Sequence, residues 1–187
     1  MRDIFVESPM AHPSVMMRRD DLIELGGYQD RGWAEDYDLW LRYREKGKQF
    51  AKLNQTLLWW RHGPTRLTFT DSRYSLENFL RAKAHYIARR LRNCPRPILL
   101  WGAGKMGRRL LRHLLRERIA VQAIVDIDPK KIGRTMRGKP IVPREYLAAA
   151  GDAFVIAAVG SSGAREQIRA YLTALGAVEL EDFLCAA

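Results

Sequence analysis

The feature that most constrains this chain is a glycine-spaced junction between an apolar strand and an amphipathic helix. Ile98-Leu99-Leu100-Trp101 reads as a buried strand, and Gly102, Gly104 and Gly107 follow it directly. A helix is expected over 105–118, striped by Met106, Leu110 and Leu114. The next apolar strand, Val121 to Val125, ends on Asp126. Each glycine has a separate physical task. The first allows the tight turn, the second lets a pyrophosphate reach the backbone, and the third lets helix and strand pack closely. An acid about twenty residues further on can bond a ribose hydroxyl.

The pattern then repeats. A short strand at Ile141-Val142 precedes a helix over 143–149, and Phe154–Val159 reads as a buried strand. A helix is expected over Ala164–Leu175, and Val178-Glu179-Leu180 as a last edge strand. Strand and helix in alternation predict an α/β fold with a parallel sheet, here a Rossmann-like domain over residues 95–187. Gly102, Gly104, Gly107 and Asp126 are its candidate cofactor-binding residues, for NAD(P) or another nucleotide. The same glycines also serve strand–helix packing without a ligand, so a regulatory or vestigial unit stays open.

Pro95-Arg96-Pro97 stops helix propagation and marks a boundary. Before it the chain is rich in Trp, Tyr and Arg. A short strand is expected over Ser14–Arg18, and a helix from Asp20 to Leu25 closed by Gly26-Gly27. A second helix is expected over 35–46 with Glu35 and Asp36 in its first turn, where the macrodipole favours negative charge. Two strands over 48–53 and 56–61 would be joined at Asn54-Gln55, and Asp71–Arg92 reads as a longer helix.

Net charge is +11, which favours phosphate-bearing partners without choosing among them. No helix-turn-helix, RNP or zinc pattern is visible, so nucleic acid is not an expected partner. The two cysteines, Cys94 and Cys185, form no CxxC, which points to reduced thiols rather than a disulfide framework. No apolar run approaches the roughly 20 residues needed to span a bilayer. No signal peptide is visible. A cytoplasmic protein is expected, with peripheral contact at the inner membrane face left open.

Glu35, Asp36 and Asp38 stand together at a helix start, and His62 follows the apolar run Leu57-Leu58-Trp59-Trp60. A carboxylate so placed can take a proton from a hydroxyl, and a neutral imidazole can bind a metal. The same carboxylates also serve as helix N-terminal charges, and the same His as a loop residue bonded to backbone.

Several segments carry a resemblance in their order and spacing. They are His12-Pro13-Ser14-Val15-Met16-Met17-Arg18-Arg19, Gly26-Gly27-Tyr28, Ala34-Glu35-Asp36-Tyr37-Asp38-Leu39-Trp40-Leu41-Arg42 and Trp60-Arg61-His62. Together they resemble the C-terminal part of the GT-A catalytic domain in family 2 glycosyltransferases, over about half the chain. The resemblance implies an inverting transfer from a nucleotide-diphosphate sugar donor to a saccharide or lipid-linked acceptor. It implies Asp36 as catalytic base with Glu35 beside it, His62 on a divalent Mg or Mn ion, and a setting in cell-envelope or polysaccharide assembly. It makes residues 1–92 the C-terminal portion of such a domain. The family's donor-binding half, with its Asp-x-Asp metal motif, would precede residue 1, so the chain is expected to be part of a larger enzyme. The second half resembles, more loosely, Rossmann-like modules found beside sugar-modifying domains.

Overall fold

The computed structural model describes residues 2–61 and 63–187. It divides into two compact units, Ser8–Ala82 and a second formed by Arg2–Glu7 with Lys83–Ala187.

The first unit is built on helices: α1 (Arg19–Glu24), α2 (Glu35–Glu45), α3 (Leu67–Thr70) and the start of α4 (Leu76–Leu91). α2 is its centre. Tyr37, Leu39, Trp40, Leu41 and Tyr43 are all buried, so the helix is covered on nearly every side, as a core helix must be. Both α1 and α2 end as the sequence predicts. Gly26 and Gly27 adopt φ of 75° and 67°, and Gly27 N–H donates to Leu22 O at 2.9 Å. Gly47, at φ 70°, closes α2, and Lys48 N–H donates to Tyr43 O at 3.0 Å.

Two expectations in this unit fail. Ser14 ends a 3-10 turn over His12–Ser14 instead of starting a strand. Pro13 favours a helical start, and the Ser14 hydroxyl donates to Ala11 O at 2.7 Å, which stabilises the turn. Residues 48–53 and 56–61 form no strand ladder, although the bend at Asn54-Gln55 is present. Two strands alone cannot bury a face, and residues 51–61 are exposed throughout.

The second unit carries the sheet. In chain order its elements are β1 (Ile98–Trp101), α5 (Lys105–Arg116), β2 (Val121–Val125), β3 (Thr135–Met136) and β4 (Lys139–Val142). There follow α6 (Tyr146–Ala149), β5 (Phe154–Ala157), α7 (Ala164–Ala174) and β6 (Phe183–Cys185). The strand order is β3-β4-β2-β1-β5-β6, parallel except for the β3–β4 pair. This is the α/β architecture expected. Leu100 stands level with Ile124 on one side and Ile156 on the other, and every residue of β1 and β5 is buried. Strands covered on both faces read as continuous apolar runs for that reason. On one face Leu99, Trp101, Val125, Val155 and Phe183 pack with Ile168 and Leu172 of α7.

The β3–β4 hairpin was not foreseen. Its two-residue turn, Arg137-Gly138, has φ of 53° and 75°, the backbone a tight hairpin requires. Arg at the first position gives little sequence signal for such a turn. The edge strand is Phe183–Cys185, not Val178–Leu180. Leu180 takes a left-handed φ of 73°, and Asp182 accepts the Val178 N–H at 2.7 Å, so that segment is a turn. The apolar Phe-Leu-Cys triplet has more surface to bury and takes the place beside β5.

Lys83, on α4, is 5% exposed and donates to Val6 O at 2.7 Å and Ala186 O at 3.0 Å. Burial lowers its pKa to about 8, with help from the nearby Arg165 charge. The unfolded chain holds that proton up to the ordinary value of 10.5, so it binds more protons than the folded chain between those limits. Stability therefore rises with pH from about 8 to 10.5, and the burial penalty is fully present below that window. The full gain is on the order of 3 kcal/mol. Burial of the Cys185 thiol raises its pKa to about 11, which opposes the gain above pH 9, so the comparison must be a difference. Urea denaturation of the wild type and Lys83→Met across pH 7–11 should show a wild-type-specific rise. Parallel curves would show that Lys83 keeps an ordinary pKa.

Candidate active site

The first turn of α2 carries three acids, Glu35, Asp36 and Asp38, and the structure gives each a different environment. Asp38 is fully buried. It accepts Trp33 Nε1–H at 2.9 Å and Arg42 Nε–H at 2.8 Å. Arg42 donates onward to Leu25 O and Gly27 O, both at 2.7 Å. Asp38 is thus the centre of a clamp between α2 and the end of α1, closed to any substrate.

Glu35 and Asp36 are half-buried. Glu35 accepts the Tyr74 hydroxyl at 2.8 Å, and Arg73 stands 4.0 Å from its second oxygen. That second oxygen is buried and has no hydrogen-bond donor among the described residues. Arg73 is itself held by Asp71 at 2.6 Å. Asp36 accepts the Tyr37 N–H at 2.6 Å. Burial raises the Asp36 pKa, and the Glu35 charge adds to the rise. The Tyr37 N–H and the charge of His12 oppose it. A carboxylate held up in this way is a stronger proton acceptor near neutral pH.

His12 and Tyr28 complete the surroundings. His12 Nε2 lies 2.7 Å from the Tyr28 hydroxyl, and its ring meets Trp40 edge-on at 6.0 Å. Burial raises the Tyr28 pKa, and the charges of Asp36 and Glu35 raise it further. The site therefore offers a base with a raised pKa, a second carboxylate tied by a tyrosine, and a histidine–tyrosine pair able to hold a hydroxyl-bearing ligand. No spacing in the sequence gives His12, Tyr28, Arg73 or Tyr74 a role. His12-Pro13 and Gly26-Gly27-Tyr28 were visible as motifs, but only the fold joins residues 16 positions apart.

His62, the expected metal ligand, lies outside the described residues. Among the described residues no three His, Cys, Asp or Glu side chains converge on one point.

The glycine junction of the second unit can be read position by position. A Cβ on Gly107 would lie 1.8 Å from Gly102 O, so the third glycine is required for packing alone. Gly102, at φ 125°, would place a Cβ 2.8 Å from Ala158 O. Gly104 faces open space, with nothing within 4 Å. Asp126 is 7% exposed, and both its oxygens have partners. It accepts Ala103 N–H at 2.7 Å and Asp128 N–H at 2.9 Å, with Lys131 Nζ at 3.4 Å. Its evident work is to pin the glycine turn to the end of β2. A cleft beside it is lined by Ile127, Ile132, Pro143, Arg144 and Glu145.

No family model matches the chain. Over 53 residues it is 38% identical to the amylovoran biosynthesis glycosyltransferase AmsE of Erwinia amylovora. That stretch is 28% of this chain and 20% of the other protein, so the match spans about a fifth of that relative's length. The chain is related to a glycosyltransferase. Among the described residues no helix is long and apolar enough to cross a membrane.

Proposed function

We propose that this chain serves a family 2, GT-A type glycosyltransferase in polysaccharide or cell-envelope biosynthesis. Residues 1–92 would supply the C-terminal portion of the transferase domain, and residues 95–187 a Rossmann-like domain. The observation that carries the reading is the half-buried Asp36 carboxylate in the first turn of α2, beside a Glu35 that accepts the Tyr74 hydroxyl at 2.8 Å. The identity to a glycosyltransferase supports it.

In this reading the Asp36 carboxylate removes the proton from an acceptor hydroxyl. The freed oxygen attacks the anomeric carbon of a nucleotide-diphosphate sugar. The bond from that carbon to the diphosphate oxygen breaks, its electrons leave with the nucleoside diphosphate, and the anomeric centre inverts. Glu35, held by Tyr74, contacts the acceptor. The +11 charge suits a diphosphate or a lipid-linked acceptor.

The test is transfer of labelled sugar from a panel of UDP-sugars to a lipid-linked saccharide. It is run with this chain and with coding sequence immediately upstream of Met1 added. Transfer in either form is the expected result, and no turnover in both removes the reading.

A second reading has its own support. The strand order changes direction beside β1, and ligands of open α/β sheets bind at such a point. Gly104 leaves room there at the N-terminus of α5. NAD(P) or a nucleotide would rest its phosphates on that backbone, and the domain would act by recognition rather than chemistry. Tight NADH binding in a fluorescence titration, with no sugar transfer, favours this reading over the first.

A further inference from the structure

Tyr28 is an exposed aromatic residue that is nevertheless fixed at both ends. It is 43% exposed and follows the glycine stop that closes α1. Its backbone is tied through Gly27 O, which accepts Arg42 at 2.7 Å from the clamp around Asp38. Its tip is tied through the hydroxyl, 2.7 Å from His12 Nε2, with the two rings 5.3 Å apart. His12 in turn meets the buried Trp40 edge-on. Trp40 lies four positions after Asp36, on the same side of α2. Partial burial and then the charges of Asp36 and Glu35 hold the proton on Tyr28, so its hydroxyl stands in the field of both carboxylates. A side chain ordered before its ligand arrives loses little further freedom on binding.

We propose that Tyr28 selects the acceptor, and that the reacting part of the acceptor is a saccharide ring with neighbouring hydroxyls rather than a lipid phosphate. The word acceptor rests on the reading of Asp36 as the base; the saccharide contact does not. A phenol has one donor and two lone pairs. His12 engages one of these whichever tautomer it takes, so the phenol keeps a lone pair for a ligand hydroxyl. Glu35 calls for the same chemistry. Its first oxygen accepts Tyr74, and its second is buried without a hydrogen-bond donor among the described residues. A buried acceptor left without a donor is costly, so this site suits a ligand that brings O–H groups. A saccharide brings several, together with apolar C–H faces that the Tyr28 ring can cover. A phosphate monoester would meet two carboxylates as a like charge. A plain alcohol brings one hydroxyl for Asp36 and none for Tyr28 or Glu35. In this arrangement Tyr28 and Glu35 hold the hydroxyls beside the one that Asp36 deprotonates. His12 touches no substrate and is a positioning residue that fixes Tyr28.

The first test needs no turnover. Saturation-transfer NMR of the full chain is run with the methyl pyranosides of glucose, galactose and mannose, and with hexyl phosphate. At least one pyranoside should receive saturation and hexyl phosphate none. Tyr28→Phe should raise the Kd of that pyranoside about threefold to tenfold, the worth of one hydrogen bond, and Tyr28→Ala at least about tenfold. For one monodeoxy analogue the wild type and Tyr28→Phe should bind alike, which identifies the hydroxyl that Tyr28 meets. Tyr28 is exposed, so both variants should melt close to the wild type, and Tyr28→Phe keeps the ring if Tyr28→Ala fails to fold. In the transfer assay both variants should raise the acceptor KM with kcat nearly unchanged. His12→Ala should raise that KM in the wild type and not in the Tyr28→Phe background, whereas a merely structural His12 would act in both. No saturation of any pyranoside, saturation of hexyl phosphate, or a Tyr28→Phe variant that binds like the wild type would each overturn the proposal. So would loss of pyranoside binding once the sequence upstream of Met1 is added, by assigning Tyr28 to a contact with that portion. Pyranoside binding that depends on Tyr28 without any transfer removes the base and keeps the saccharide contact. Transfer with an unchanged acceptor KM in Tyr28→Phe does the reverse.

Discussion

Asp36→Asn should lower sugar transfer by about 10²–10⁴-fold, the range for losing a positioned general base. The amide keeps an oxygen to accept the Tyr37 N–H seen at 2.6 Å, so the helix start survives. Loss of the charge at the N-terminus of α2 costs about 0.3–1 kcal/mol, and relief of its desolvation offsets part of that. Activity should therefore collapse while the melting curve barely moves. The loss should fall on kcat, because the proton moves in the transition state. The pH profile gives a second readout. Burial and the Glu35 charge raise the Asp36 pKa, so the ascending limb of kcat/KM should lie above the ordinary carboxylate value of 3.8. The His12 charge opposes that rise, so His12→Gln should move the limb to higher pH. A purely structural His12 would leave the limb in place. Wild-type turnover in Asp36→Asn would exclude Asp36 as the base.

The sheet was the most legible part of the chain because buried parallel strands are written as apolar runs. Ile98–Trp101, Val121–Val125 and Phe154–Ala157 each stand out this way. The glycine junction was legible for a similar reason, since Gly102 and Gly107 are demanded by backbone atoms of their neighbours. What failed were segments whose letters allow a strand but whose surroundings give it no partner. Residues 56–61 have the apolar content of a strand and no ladder, because pairing is a property of the neighbour as much as of the segment. The candidate site was half legible. Glu35 and Asp36 announce themselves beside a helix start. Nothing in the spacing separates Asp36 from Asp38, which the fold commits to Trp33 and Arg42. Nor does local sequence join Tyr74 to Glu35, 39 positions away.

That commitment of Asp38 sets the second large effect. Arg42→Ala should destabilise the first unit by about 3–5 kcal/mol, as expected when one partner of a buried ion pair is removed. Asp38 has no exposed surface, so its charge cannot turn to water. Arg31 at 3.7 Å and the Trp33 indole stay among its neighbours. The carbonyls of Leu25 and Gly27 lose their donors in the same step, which loosens the end of α1. A domain holds about 5–15 kcal/mol in all, so this single change approaches unfolding. Pairing it with Asp38→Leu should recover part of the loss, because a buried ion pair replaced by apolar groups is often near neutral. Recovery should stop about 1–3 kcal/mol short, the cost of the two carbonyls left unmatched. Urea titration followed by tryptophan fluorescence measures all three proteins, and Trp33 reports directly because its indole touches Asp38. Added salt should change the single-variant loss little, since buried charges are poorly screened. A loss under about 1 kcal/mol would put the pair in the range of surface ion pairs and undo the assignment of Asp38 to the clamp.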